Sequence, residues 1–311
     1  MFNIFKKNKK NEPNIVVLQK PPKNACGGTT KTLDKNAPKE ITCDKMTYFS
    51  VTSALPYSSA ARGEGQLGYI AAYAVPSDNG TFLFLEVAEG HRKLGTTKKW
   101  AKVKADIFPA LVPLVLECNL VSRNGLHSRT AGLPENFGGD VLVEYENGET
   151  IDFSNNQSPV ISHETADKIY SVFKTYLDGE RVQLPSFDAL TAVKFAEERK
   201  DGGYTHAALT RQPDGTGINE KTSKYKDVPT PFESKKETGA DVFDVIKNSI
   251  ENCGILAWEN LPQKENLIGS KKTLTFIFAD GKEITINESA RIPYELHNAF
   301  FDIELEMTTK H

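Results

Sequence analysis

Apolar and polar positions along the chain follow a pattern that occurs twice. Residues 106–126 align without a gap with residues 241–261, at a constant offset of 135 positions. Two unrelated amphipathic helices would share apolar residues at helical spacing, but they would not share gapless identities as well. The pattern therefore predicts an internal duplication. The identical pairs are Asp106 and Asp241, Phe108 and Phe243, Cys118 and Cys253, and Leu126 and Leu261.

The pattern continues downstream as a predicted β-hairpin and a closing helix in each copy. Residues 141–153 alternate apolar and polar positions around Asn147-Gly148, and residues 274–286 do so around Asp280-Gly281. Such a pair between two alternating stretches is a strong hairpin signal. The apolar stripes of the two closing helices are Ile169, Val172, Phe173 and Tyr176, and Leu296, Phe300, Ile303 and Met307.

Further strands are predicted at 46–52, 68–74, 81–87, 190–197 and 204–211 from runs of apolar and β-branched residues. The segment 212–239 is polar and rich in Lys, Gly, Thr and Pro, which predicts a loop with one weak strand near Tyr225. Apolar residues recur at helical spacing from Trp100 to Val115, although Pro109 and Pro113 predict a kink or a restart.

These elements predict an α+β fold. We expect two related units of mainly antiparallel sheet with two helices each, at residues 41–178 and 179–311. Residues 1–40 contain nine lysines and three acidic residues, and are predicted to be a basic flexible arm.

The second copy carries a family resemblance. Trp258-Glu259-Asn260-Leu261, the strand 274–278, Asp280-Gly281, and Pro293-Tyr294 follow one another in that order. This order resembles a domain of uncharacterised proteins from Gram-positive, clostridia-like bacteria. The resemblance covers about 70 residues per copy. The first copy departs from it, with residues 122–126 in place of the Trp turn. The resemblance implies structural motifs and transfers no activity.

Charge and composition exclude several classes of protein. The chain has 38 basic and 41 acidic residues, so the body that follows the basic arm is acidic and lacks the positive footprint of a nucleic-acid-binding protein. No apolar run approaches the roughly 18 residues of a membrane span. The four cysteines are widely separated, and no signal-peptide pattern is present, so we expect a cytoplasmic protein with reduced thiols.

The arm suggests two hypotheses. An apolar tip with Phe2 and Phe5 beside Lys6 and Lys7 could contact an anionic membrane surface, and a solvated tail is the alternative. Residues 26–32 resemble a phosphate-binding loop, but Ala25 and Thr30 stand where GxxxxGK[ST] requires glycine. Nucleotide binding by this segment is therefore not predicted.

The best candidate for chemistry is residues 123–130, which we expect to be a loop between helix and hairpin. Arg123, His127 and Arg129 could together bind an anion, because guanidinium groups match carboxylate and phosphate geometry. Charges facing water are the alternative. The six histidines form no HExxH motif, and no nucleophile motif is present, so no metal or cofactor is expected.

Three functions remain open from the sequence. The first is a non-catalytic binding or scaffold protein of the bacterial cytosol, with an unknown protein or a small anionic ligand as its partner. The second is a hydrolase or transferase with a site in a cleft between the two units. The third is peripheral membrane association through the arm. The pattern favours the first, because the matched residues are apolar or turn-forming and report fold rather than a site.

Overall fold

The computed structural model describes residues 13–21, 27–55, 66–89, 95–132, 137–264, 269–293 and 296–309. Within them the chain is α+β, with four α-helices and two sheets of nine and six strands. The strands are β1 (Ile15–Gln19), β2 (Gly28–Asp34), β3 (Met46–Ala54), β4 (Leu67–Ser77), β5 (Gly80–Glu89), β6 (Thr97–Val103), β7 (Leu126–Ala131), β8 (Gly139–Tyr145), β9 (Thr150–Asn155), β10 (Leu190–Arg199), β11 (Tyr204–Arg211), β12 (Gly217–Lys224), β13 (Phe232–Thr238), β14 (Ser270–Phe278) and β15 (Glu283–Asn287). The helices are α1 (Phe108–Glu117), α2 (His163–Leu177), α3 (Asp241–Glu251) and α4 (Asn298–Thr308).

The chain divides into two compact units that are discontinuous in sequence. The first comprises the described residues within Met1–Ala74, Leu83–Lys99 and Asp106–Gly179. The second comprises Val75–Phe82, Trp100–Ala105 and the described residues within Glu180–His311. The expected division at residues 178 and 179 stays a prediction.

The nine-stranded sheet has the order β1-β2-β7-β9-β8-β3-β4-β5-β6. Strand β7 pairs with β9 in parallel and with β2 in antiparallel orientation. Helix α1 contacts α2 and β3, and the rings of Phe49 and Phe173 lie 5.9 Å apart. Apolar residues at alternate positions of β3, β8 and β9 form the inner face of this sheet, and all of them are fully buried. They are Phe49, Val51, Val141, Val143, Ile151 and Phe153.

The six-stranded sheet has the order β13-β12-β11-β10-β14-β15, and every neighbouring pair is antiparallel. Helices α3 and α4 contact each other, and α4 contacts β11. The indole of Trp258 is buried in this unit, as are the side chains of Phe276 and Ile303.

Both predicted hairpins are confirmed, as β8–β9 and β14–β15. Gly148 and Gly281 have φ angles of +85° and +82°, which a turn residue with a side chain rarely adopts. In the turns, the Tyr145 N–H donates to the Glu149 carbonyl at 3.0 Å, and the Phe278 N–H donates to the Lys282 carbonyl at 3.0 Å.

Residues 1–40, which are predicted to be a flexible arm, contain two strands in the part that the structure describes. Ile15–Gln19 forms β1 and Gly28–Asp34 forms β2 at one edge of the nine-stranded sheet. Both segments are rich in β-branched residues, which suit a strand, and β2 finds a partner in β7, some ninety residues later. The composition of residues 1–40 alone cannot predict pairing with a strand so distant in sequence.

Two further sequence predictions are wrong. Residues 212–239 contain β12 and β13 rather than mostly loop, because β13 is an exposed edge strand with a polar sequence that carries no apolar alternation. Residues 97–103 form β6, and the helix begins only at Phe108, with Pro109 in its first turn, where the missing N–H costs nothing.

Candidate functional site

The segment predicted to be a loop at residues 123–130 is largely strand β7. His127 lies beside Thr32 of β2 and Ser154 of β9, and Arg129 lies beside Thr30 of β2. Alternate residues of a strand project from the same face of a sheet. These five side chains therefore project from one face of β2, β7 and β9.

This face forms the floor of an open groove of about 710 Å³, within the usual volume range of small-molecule sites. The groove brings His127 and Arg129 together, as the sequence hypothesis requires. Its lining consists of Pro21, Gly27, Gly28, Thr30, Thr32, His127, Ser128, Arg129, Ala131 and Ser154.

His127 is held in place by its neighbour on β9. Its Nδ1 atom shares a hydrogen bond of 3.0 Å with the Ser154 hydroxyl, and the tautomer of the ring decides which atom donates. Partial burial raises the pKa of Asp152, the favourable charge interaction with His127 lowers it, and Glu144 raises it further. A carboxylate therefore lies close enough to His127 for the two side chains to interact electrostatically.

The strands below the groove are joined on their opposite face and at their ends. The Thr29 and Thr130 hydroxyls share a hydrogen bond of 2.8 Å. The Asn156 side chain accepts from the Thr130 N–H at 2.8 Å and donates to the Thr130 carbonyl at 2.9 Å. These bonds extend the β7–β9 ladder and fix the direction in which Arg129 projects.

One end of the groove is built from glycine. Gly28 has a φ of +131°, and a Cβ there would lie 2.6 Å from the Cβ of Pro21. A Cβ on Gly27 would lie 2.7 Å from the carbonyl oxygen of Ala131. Any side chain would displace the backbone at these two positions, so glycine is needed to bring Pro21 and Ala131 to this end.

Arg123, the third predicted residue, does not line the groove. It lies in the 3₁₀ turn Leu120–Arg123, where its Nη1 donates to the Val160 carbonyl at 2.6 Å. Its guanidinium carbon lies 5.1 Å from the ring centroid of Phe153, on the inner face of β9. Burial lowers its pKa. These contacts are those of a residue that supports the fold.

The sequence reasoning missed Thr30, Thr32 and Ser154. Their only sequence signal is a strand-like run of threonines, and their approach to His127 depends on pairing between distant strands. The predicted membrane-contact residues Phe2, Phe5, Lys6 and Lys7 lie outside the described residues.

Other classes of site have less support in the described part of the chain. No group of three or more His, Cys, Asp or Glu side chains there could hold a metal ion. None of the described helices is long and apolar enough to cross a membrane. Comparisons of the chain with protein-family models and with curated proteins return no match.

Proposed function

We propose that the chain is a non-catalytic binding protein of the bacterial cytosol whose first unit binds a small anion in the groove over β2, β7 and β9. The observation that carries this proposal is the convergence of His127 and Arg129 with three hydroxyl side chains in one groove. A guanidinium, an imidazole and neighbouring hydroxyl donors are the groups that bind phosphate and carboxylate oxygens.

We also propose that the two units arose by duplication, as the sequence pattern predicts. The order β9-β8-β3-β4-β5-β6 in the first sheet corresponds to β15-β14-β10-β11-β12-β13 in the second. The 3₁₀ turns Leu120–Arg123 and Ile255–Trp258 are 135 residues apart, and each follows a left-handed residue, Asn119 with φ +50° and Gly254 with φ +66°.

The duplication gives the groove a specific position in the molecule. Strands β1 and β2 precede the part of the chain that is duplicated. Among the described residues of the second unit, no strand corresponds to β7, and only an isolated bridge between Gln263 and Ala290 is found at the equivalent place. A site on elements that one copy adds is consistent with a function acquired by that copy. Arg123 corresponds in this alignment to the buried Trp258, which supports its structural role.

Titration with inorganic phosphate tests the anion site. We expect millimolar phosphate to shift the ring resonances of His127, and Arg129→Gln to weaken binding by about tenfold or more, the scale of one charged hydrogen bond. Lys31→Gln is the matched control, because it removes one positive charge from the neighbouring strand, at the position paired with Ser128 rather than with His127 or Arg129. Absence of any shift in the wild-type protein, or an equal loss in both variants, would refute the site.

A further inference from the structure

The side chains in the groove are arranged in three successive rungs. The first joins Ser154, His127 and Thr32, the second joins Arg129 and Thr30, and the third joins Ala131 and Gly28. Side chains on one face of a strand repeat at about 7 Å, and neighbouring strands lie about 5 Å apart. The three rungs therefore cover about 13 Å by 10 Å, which is far more than one phosphate ion needs.

Charge changes sign along this surface. Arg129 lies in the second rung, next to the small residues Gly28 and Ala131. Asp140 is the cross-strand partner of Ser154, and Asp152 lies two residues before Ser154 on β9. Because β7 and β9 run parallel, Asp152 lies one rung beyond His127, on the side away from Arg129. An anionic group is favoured at the Arg129 end, and hydrogen-bond donors are favoured at the Ser154 end.

The lining also restricts the uncharged part of the ligand. Among the described lining residues there is no Phe, Tyr or Trp on which a nucleobase could stack, and no Leu, Ile, Val or Met to receive an acyl chain. Ser154 and Thr32 offer hydroxyls that both donate and accept, and Asp140 beside Ser154 offers a carboxylate that accepts from hydroxyl groups.

We infer that the groove binds the phosphate monoester of a polyol or sugar, with the phosphoryl group at Arg129 and Thr30 and the hydroxylated body over His127, Ser154 and Asp140. This inference rests on the proposed anion site and adds the class of ligand and its direction in the groove. The opposite orientation would place the phosphoryl group beside two carboxylates, which repel it.

Calorimetric titration of the full chain with four probes tests the inference: inorganic phosphate, glucose, glucose 6-phosphate and adenosine 5′-monophosphate. We expect glucose 6-phosphate to bind at least about tenfold more tightly than phosphate, because two or more additional hydrogen bonds form at the Ser154 end. It should also bind more tightly than adenosine 5′-monophosphate, because the adenine finds no aromatic side chain among the described lining residues on which to stack. Glucose alone is expected to give no measurable binding.

Ser154→Ala is the discriminating variant. It should weaken glucose 6-phosphate binding more than phosphate binding and so bring the two affinities to within about threefold of each other, whereas Ser158→Ala, an exposed serine outside the lining, should change neither. If phosphate itself fails to bind, the proposed function is wrong. If phosphate binds but glucose 6-phosphate gains nothing, or Ser154→Ala weakens both ligands equally, the anion site remains and the ligand class is wrong.

Discussion

Arg123 and Arg129 are only six positions apart, yet their environments differ completely. Arg129 projects from a strand into the groove, whereas Arg123 donates to a backbone carbonyl and covers an aromatic ring. The sequence predicts that His127 and Arg129 act together but places them in a loop. They share a face because a single residue separates them in strand β7. The sequence could not predict Ser154, whose place beside His127 is set by the parallel pairing of β7 and β9.

Replacing Arg123 should affect stability without affecting the anion site. We expect Arg123→Met to lower the free energy of unfolding by about 1–2 kcal/mol, because a charged hydrogen bond and the contact with Phe153 are lost. Urea unfolding measures this loss, and phosphate titration of the same variant should match the wild-type protein. If the variant has the stability of the wild-type protein but binds phosphate more weakly, Arg123 takes part in anion binding and the structural role is wrong.

Glu149 should make stability depend on pH. Burial raises the pKa of its carboxyl, but hydrogen bonds from the Thr42 hydroxyl and from the backbone of Cys43 lower it more, so that the net shift is downward. A carboxyl with a lowered pKa in the folded state stabilises the protein above its ordinary pKa of about 4.3, and this stabilisation disappears as the pH falls through the lowered value.

Urea unfolding of the wild-type protein and of Glu149→Gln measures this contribution. The difference in unfolding free energy between them should be full at neutral pH and should close below about pH 4. A difference that is constant with pH would show that the ionised carboxylate is not its source.

At the scale of elements, prediction succeeded where local chemistry determines the structure. Asn147-Gly148 and Asp280-Gly281 specify their hairpins because each three-residue loop ends in a residue of positive φ, a conformation that glycine adopts without strain. Four of the strands that were missed, β2, β7, β12 and β13, are polar, and each is stabilised by its neighbouring strands rather than by an apolar face of its own. Such strands carry little hydrophobic periodicity for a sequence pattern to detect.

The two prolines of α1 should have opposite effects. Pro113 lies inside the helix, where it removes one backbone hydrogen bond and crowds the preceding turn, and it is exposed. We expect Pro113→Ala to raise the free energy of unfolding by about 1–2 kcal/mol, after allowing for the greater freedom of the unfolded chain. Pro109→Ala, in the first turn, should be neutral or slightly destabilising. Thermal unfolding of both variants tests this, and equal effects would contradict it.

The two left-handed residues that precede the 3₁₀ turns should not be interchangeable. A Cβ on Gly254 would collide with the ring of Trp100, whereas Asn119 accommodates its side chain at a similar φ. We expect Gly254→Asn to cost about 1–3 kcal/mol, as overpacking does, and Asn119→Gly to cost less than about 1 kcal/mol. Equal costs in urea unfolding would show that backbone conformation alone decides both positions.

At the scale of the whole molecule, three strands contribute residues to both units. The second unit includes the end of β4 and the start of β5, in the segment Val75–Phe82, and the end of β6, in the segment Trp100–Ala105. The remainder of these three strands belongs to the first unit. The second unit depends on these segments, because the Val182 N–H donates to the Lys102 carbonyl at 2.7 Å and the Trp100 indole donates to the Glu251 carbonyl at 3.2 Å. Loss of structure in the first unit should therefore release part of the second.

Tryptophan fluorescence can test this dependence because both tryptophans of the chain, Trp100 and Trp258, belong to the second unit. Phe173 is fully buried in the first unit, so Phe173→Ala should cost about 3–5 kcal/mol there. If the shared strands couple the units, this variant lowers the urea midpoint of the fluorescence transition together with that of the far-ultraviolet circular dichroism transition, while Lys31→Gln moves neither. A dichroism curve that splits into two steps, with the fluorescence midpoint unchanged, would mean that the units unfold independently.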